Sequence, residues 1–185
     1  EGGKAGGMDI VKTKIAGFES CGMCCSEKEL GISANHEGIM ELDADTPLGV
    51  DVKELFAIDD IVFEVDNKSL TNRPDLWGHY GIAREFAAIA ERDLRPVPQY
   101  DATALADLPK VDVKIEDERC YRYTSAIVTG ISRKVSPMNM RIRLFYCGLR
   151  AINFLADLTN YVMLEYGQPM HAFDYRYVKG GKIIV

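Results

Sequence analysis

Three groups of side chains are of the types that do chemistry. The first is the thiol cluster "CGMCC", with Cys21, Cys24 and Cys25. Thiolates bind zinc, but a structural zinc site needs four ligands, commonly from two paired knuckles. No second Cys-x-x-Cys or His pair follows, and neighbouring strand residues point to opposite faces. The cysteines therefore read as small buried apolar residues. A thioredoxin-like role fails as well, because no helix starts at the motif to lower a thiol pKa. The second group is in "YGQPMHAFD", where Pro169 stiffens a turn and His171 and Asp174 can share one side of a following helical turn. General histidine usage makes such a pair a structural hydrogen bond before it makes it a catalytic base. The third is a polar stripe, Arg150, Asn153, Asp157 and Asn160, on one side of a helix expected from about Ala151 to Tyr166. Asn and Asp are mediocre helix formers, so several on one face imply partners for them. Thr159 lies roughly 120° round from Asn153 and can line a pocket with the turn that follows.

Other chemistries lack support. No Gly-x-Ser-x-Gly elbow occurs, and none of the three histidines sits in a zinc-protease pattern. "GGKAGG" lacks the Gly-Lys-Ser/Thr ending of a phosphate loop and reads as a flexible connector. In "LTNRPDLWGHYG", Thr71 or Asn72 can start a turn, Pro74 fixes φ near a helix start, Arg73 can pair with Asp75, and Trp77 is the expected anchor. The residues together describe a polar pocket of neutral-to-basic character, with no nucleophile and no metal.

The elements that must position these groups belong to a chain of 185 residues, 47% hydrophobic, which can bury a core in one or two domains. No apolar run is long enough to span a membrane. The Gly-rich start has neither Met nor the apolar core of a signal peptide, so the chain is expected to be cut from a longer one or processed. Five cysteines, an odd number, favour reduced thiols and a cytoplasmic protein. The net charge of −6 hides an asymmetry: residues 37–66 carry ten acidic groups and one basic, Lys53. From Arg119 to Ala156 no acid occurs, against seven basic residues: Arg119, Arg122, Arg133, Lys134, Arg141, Arg143 and Arg150. Screening confines each field to about 8 Å, so this run can attract a phosphate backbone, or it can dock on acidic residues of its own assembly.

Along the chain, "DIVKTKIAGFESCGMCCSEKELGIS" predicts two short strands and a tight turn, with Ser26 and Glu29 at capping-box spacing. "GIMEL" and Ile61–Val65 read as further strands. Ile82, Phe86 and Ile89 give the following helix an apolar face, with Arg84 and Glu91 towards solvent. "RPVPQYDATALADLPK" is the linker. After it come the strands "VDVKI" and "RYTSAIVTGI". A helix follows with Ser136 as N-cap, Pro137 at N1 and Gly148 at its end. "GGKIIV" opens a strand at the end of the chain, a second sign of truncation.

Three long motifs carry a family resemblance. "LRAINFLADLTNYVMLEYGQPMHAFD" resembles the start of the editing domain of the bacterial phenylalanyl-tRNA synthetase β subunit. "IVFEVDNKSLTNRPDLWGHYGIAREFAAI" is similar to that subunit's NRPD segment, and "KTKIAGFESCGMCCSEKELGIS…HEGIMEL" to the second half of its OB-like tRNA-binding domain. They stand in the family's order and cover nearly the whole chain. The resemblance implies an α+β fold: a partial OB-like β-barrel over 1–57, a strand and helix connector over 58–95, a linker over 96–110, and the first part of an editing domain over 111–185. It implies a heterotetramer of two catalytic α and two β subunits that joins phenylalanine to tRNA(Phe) with ATP and magnesium, the adenylate chemistry belonging to the α subunit. It implies that the editing domain hydrolyses tRNA mischarged with tyrosine, because an apolar pocket rejects an added hydroxyl only weakly. Arg150, Thr159, Pro169 and His171 match positions lining the family's editing pocket. Arg150 would hold the phosphate or ribose of the terminal adenosine, Thr159 and His171 would orient substrate or water, and Pro169 would shape the wall.

The family's glutamate for the tyrosine hydroxyl lies downstream of Val185, and the first OB strands precede residue 1. The isolated chain is therefore expected neither to charge nor to edit tRNA; release of tyrosine from mischarged tRNA by it would contradict that. A free-standing RNA- or protein-binding module is the alternative, and an autonomous hydrolase ranks last.

Overall fold

A computed structural model describes residues 3–56 and 58–185. It divides into two units: Glu1–Lys68 with Val135–Tyr161, and Ser69–Lys134 with Val162–Val185. The fold is mixed α/β, and among the described residues its strands form three two-stranded sheets, none of which closes a barrel.

The first unit begins with two hairpins. β1 (Lys4–Ala5) pairs antiparallel with β2 (Met8–Asp9) around Gly6-Gly7, both at positive φ, as a tight two-residue turn requires. Residues 4–7 of the expected connector are thus part of a hairpin, and Gly6 N–H is tied to the Glu29 carbonyl at 2.8 Å. β3 (Thr13–Ile15) pairs with β4 (Phe18–Ser20), where two strands were expected. The capping box forms: Glu29 Oε2 accepts from Ser26 N at 2.7 Å and Oγ at 2.9 Å, and Glu29 N–H returns to Ser26 Oγ. These bonds, the backbone one first, hold the Glu29 carboxyl below its ordinary pKa. α1 is a single turn, Val52–Phe56.

α3 (Met138–Tyr146) packs on the capped turn at residues 26–32. Arg141 Nη2 reaches both Glu27 oxygens at 2.8–2.9 Å, and Tyr146 Oη donates to the Gly31 carbonyl. Ile142 and Leu144 are buried on α3, as is Ile32 in the turn. α3 starts one residue later than expected: Pro137 is its N-cap, and Ser136 caps nothing here but turns to Asp157. Gly148 ends it as expected. With φ +79 it lets Gly148 N–H reach Phe145 and Leu149 N–H reach Leu144, satisfying the last carbonyls.

The second unit is built on the NRPD segment. Pro74 opens a 3-10 turn, Pro74–Leu76, and α2 (His79–Ile89) follows. Arg73 grips both Asp75 oxygens at 2.9 Å and also Glu85, while Arg84 adds a third bond to Asp75. The Arg73–Asp75 pairing read from sequence is present, and Arg84 is exposed yet engaged. Arg73 first, with Arg84 behind it, lowers the Asp75 carboxyl from 3.8 to about 2. A depressed carboxyl contributes stability that is complete above its ordinary pKa and lost as pH falls through the folded value. We expect an NMR titration midpoint for Asp75 near 2, and an Asp75→Asn variant that lacks the corresponding acid-limb loss. A midpoint near 3.8 would contradict the clamp.

α2 meets the last turn of α4 (Phe154–Tyr166) through two glycines. A Cβ on Gly78 would strike the Gly167 nitrogen and the Tyr166 carbonyl carbon. His79 Nδ1 lies 2.8 Å from the Leu164 carbonyl, and the Tyr80 and Tyr166 rings are 6.0 Å apart. β5 (Asp112–Lys114) and β6 (Lys182–Ile184), both expected as strands, pair in parallel with Val113 opposite Ile183.

Other expectations fail. Residues 38–42, 61–65 and 122–131 form no strand. β-branched residues favour strands through cross-strand packing, and these segments have no ladder partner among the described residues. The α2 face is open too: Phe86 and Ile89 are exposed, the buried positions are Gly81 and Ala87, and Trp77 is 68% exposed rather than an anchor. The cysteines of "CGMCC" are not buried apolar residues either, since Cys21 and Cys24 are exposed and Cys25 half-buried.

Candidate functional site

The four residues singled out lie in different surroundings. Arg150 follows the Gly148 turn and is exposed. It precedes α4, which starts at Phe154 and not at Ala151, so the expected stripe is not one helix face. Asn153 is instead the helix cap, its Oδ1 accepting from Ala156 N at 3.0 Å. Asp157 is 1% exposed and fully engaged: Oδ2 accepts from Ser136 Oγ at 2.5 Å and Oδ1 from Ile152 N at 2.7 Å. Both have the partners that their residue types implied, and those partners are structural. Thr159 is half-buried in α4, its hydroxyl donating to the Ala156 carbonyl at 2.8 Å.

Arg150 and Thr159 belong to the first unit; Pro169 and His171 belong to the second. The segment after α4 leaves the helix at Gly167, φ +74, and runs irregularly through Pro169 and His171, both exposed. The His171 ring sits 6.1 Å from Phe173. Asp174 does not join it in a helical turn. Its carboxyl is taken by Arg176, at 2.6 Å for Nη2, and caps a short 3-10 turn, Tyr175–Tyr177. That pairing lowers the Asp174 carboxyl pKa, which leaves His171 without an Asp174 orienter.

Within the first unit, Arg150 borders a shallow cavity of about 280 Å³, whose lining includes Ser33, Asn35, Arg141, Phe145 and Leu149. Sequence reasoning missed this juxtaposition because it joins residues more than a hundred positions apart, with no shared motif. The basic run is partly committed to protein partners. Arg119 is held by Asp117, Arg141 by Glu27 (outside the acidic stretch 37–66), and Arg143 donates to Tyr161 Oη. Burial first, then Glu29 and Cys24, raises the Cys25 thiol, and burial raises Cys147, so neither is an activated nucleophile. Among the described residues no three of His, Cys, Asp and Glu come together as a metal site, and no helix is long and apolar enough to cross a membrane.

Two comparisons with known proteins agree on what the chain is similar to. A model of the B3/4 domain matches residues 119–185, the stretch that holds Arg150, Thr159, Pro169 and His171. Phenylalanine--tRNA ligase beta subunits match almost the whole chain. That of Dehalococcoides mccartyi is 42% identical over 181 residues, covering 96% of this chain and 22% of its own length. Those of Geobacter metallireducens and Solibacter usitatus are 43% and 44% identical, covering 97% and 95% of this chain. Over the part it covers, the chain is similar to phenylalanine--tRNA ligase beta subunits of several bacteria. It spans 22% of the length of these relatives. Within this beta-subunit stretch, the B3/4 match takes in α3, α4 and β6, while the two N-terminal hairpins and the NRPD clamp lie outside it.

Proposed function

We infer that this chain serves phenylalanine--tRNA ligase as the part of its β subunit that binds tRNA(Phe) and contributes to hydrolysis of tRNA mischarged with tyrosine. The observation that carries this reading is the B3/4 match over 119–185, inside a beta-subunit match covering 96% of the chain. The N-terminal hairpins and capped turn are the second half of an OB-like tRNA-binding domain. The assembly is a cytoplasmic heterotetramer of two α and two β subunits. ATP and magnesium act at the α subunit.

The chemistry needs no protein nucleophile. A water oxygen attacks the ester carbonyl carbon, the bond to the ribose oxygen breaks, and that oxygen leaves with a proton as tyrosine is released. Arg150, exposed and cationic, suits a phosphate or ribose oxygen of the terminal adenosine. His171, with an exposed imidazole, orients the water or substrate; Thr159 lines the site and Pro169 holds the segment that carries His171. The test is tyrosine release from Tyr-tRNA(Phe) by the whole enzyme with Arg150 or His171 replaced by alanine, beside its rate of phenylalanine attachment.

A further inference from the structure

We propose that Cys21 and Cys24 form a reversible dithiol–disulfide site, oxidised by a low-molecular-weight disulfide, with Cys25 left out of the bond. This stands apart from the editing role and uses only residues of the first unit. The motif "CGMCC" puts three thiols within five residues, and the fold treats them differently. Residues 21–24 follow β4, lie in no helix, strand or turn, and are all exposed. Cys25 is half-buried, and its carbonyl accepts from Met40 N at 2.8 Å. It precedes Ser26, the 3% exposed start of the capped turn. Its thiol is aimed at the Met23 carbonyl, 3.5 Å away, and burial, Glu29 and Cys24 keep its proton on. The fold thus holds Cys25 and leaves Cys21 and Cys24 open to a reagent.

Reach selects the same pair. A disulfide needs Cα atoms about 4.4–6.8 Å apart. Sequence neighbours are fixed at about 3.8 Å, so Cys24 and Cys25 bridge only by straining the peptide between them. Cys21 and Cys24 are the ends of a four-residue unit, which a turn brings to within about 7 Å. Gly22 would be its first central residue, the place where a type II′ turn calls for glycine. Nothing lies within 4 Å of where a Cβ on Gly22 would stand, so the segment has room to close. One of the two thiolates attacks a sulfur of the small disulfide, whose S–S bond breaks; one small thiol leaves with a proton, and a mixed disulfide remains. The other cysteine, losing its proton, attacks the protein sulfur of that mixed disulfide and expels the second small thiol. Two protein thiols are oxidised and one small disulfide is reduced. The ring is short and exposed, so the bond reopens with excess thiol and is no permanent staple.

The experiment treats the full α and β assembly, folded, with glutathione disulfide and a little glutathione, then blocks free thiols and maps the peptides by mass spectrometry. Groups joined by so short a segment meet at an effective concentration on the order of 1 mM, so at about 0.1 mM glutathione the Cys21–Cys24 disulfide should exceed the mixed disulfides about tenfold. Cys25 should be recovered as a free thiol, and dithiothreitol should restore Cys21 and Cys24. Cys24→Ser should leave Cys21 as a mixed disulfide with glutathione, whereas Cys25→Ser should leave the Cys21–Cys24 bond unchanged. Unchanged phenylalanine attachment verifies that each variant is folded, and the mapping of the native assembly needs no variant. Mixed disulfides alone in the native assembly, a bond to Cys25, or no reaction at Cys21 and Cys24 would overturn the proposal.

Discussion

Gly81→Ala is expected to destabilise the chain by roughly 2–4 kcal/mol, although alanine is the better helix former. Gly81 is the third residue of α2 and is buried. On propensity alone the change would gain up to about 1 kcal/mol. The packing opposes it: an added methyl would overlap the Asp75 carbonyl, backbone of the 3-10 turn that Arg73 and Arg84 clamp. Neither side is a flexible side-chain end, so α2 must move off the turn. Ala83→Gly, at an exposed site of the same helix, is the control and should cost only about 1 kcal/mol. Urea unfolding of the two variants separates the effects. A Gly81→Ala chain as stable as the native one would show that α2 does not press on that carbonyl.

Asp157→Ala is expected to cost about 2 kcal/mol, mainly from deserting the buried Ser136 hydroxyl, with the part-buried Ile152 N–H adding less. Ser136 Oγ and Ile152 N–H both end on this carboxyl, and Ser136 is itself 5% exposed. Removal leaves a buried hydroxyl and a backbone N–H without acceptors, next to the first turn of α4. Asp157→Asn keeps the shape and one carbonyl oxygen. The Ser136 hydroxyl can rotate to accept from the new amide, so its cost should be nearer 1 kcal/mol. Equal losses for both variants, measured by thermal or urea unfolding, would mean that shape rather than bonding holds this corner.

Much of this fold is legible where the cause is local. Ser26 and Glu29 cap as their spacing says, Gly148 and Gly167 stop their helices, and Arg73 finds Asp75 two residues away. The strands "VDVKI" and "KIIV" are legible for the same reason, although their parallel pairing, about seventy residues apart, is not. Where the outcome depends on a distant partner, pattern misleads. Trp77 and the Phe86–Ile89 face have the spacing of buried groups, yet they stay exposed. The segment at 122–131 has strand composition without a strand to pair with. The polar residues of the α4 region show why residue type outlasts geometry. Asn153 and Asp157 do have partners, but as a cap and a buried acceptor that a face-counting argument cannot distinguish from a ligand wall. Arg150 and His171 stand out by residue type, and the family resemblance gives them an editing role; geometry adds that both are exposed and Arg150 borders a cavity.

The most direct measurement is tyrosine release from Tyr-tRNA(Phe) by the complete α and β assembly, in native form and with His171→Ala. We expect release to fall about a hundredfold, the scale of one lost positioning or proton-transfer group, while phenylalanine attachment keeps its rate. Arg150→Ala should instead act mainly on KM, raising it roughly tenfold. Release that continues at the native rate in both variants would contradict an editing role for this part of the subunit.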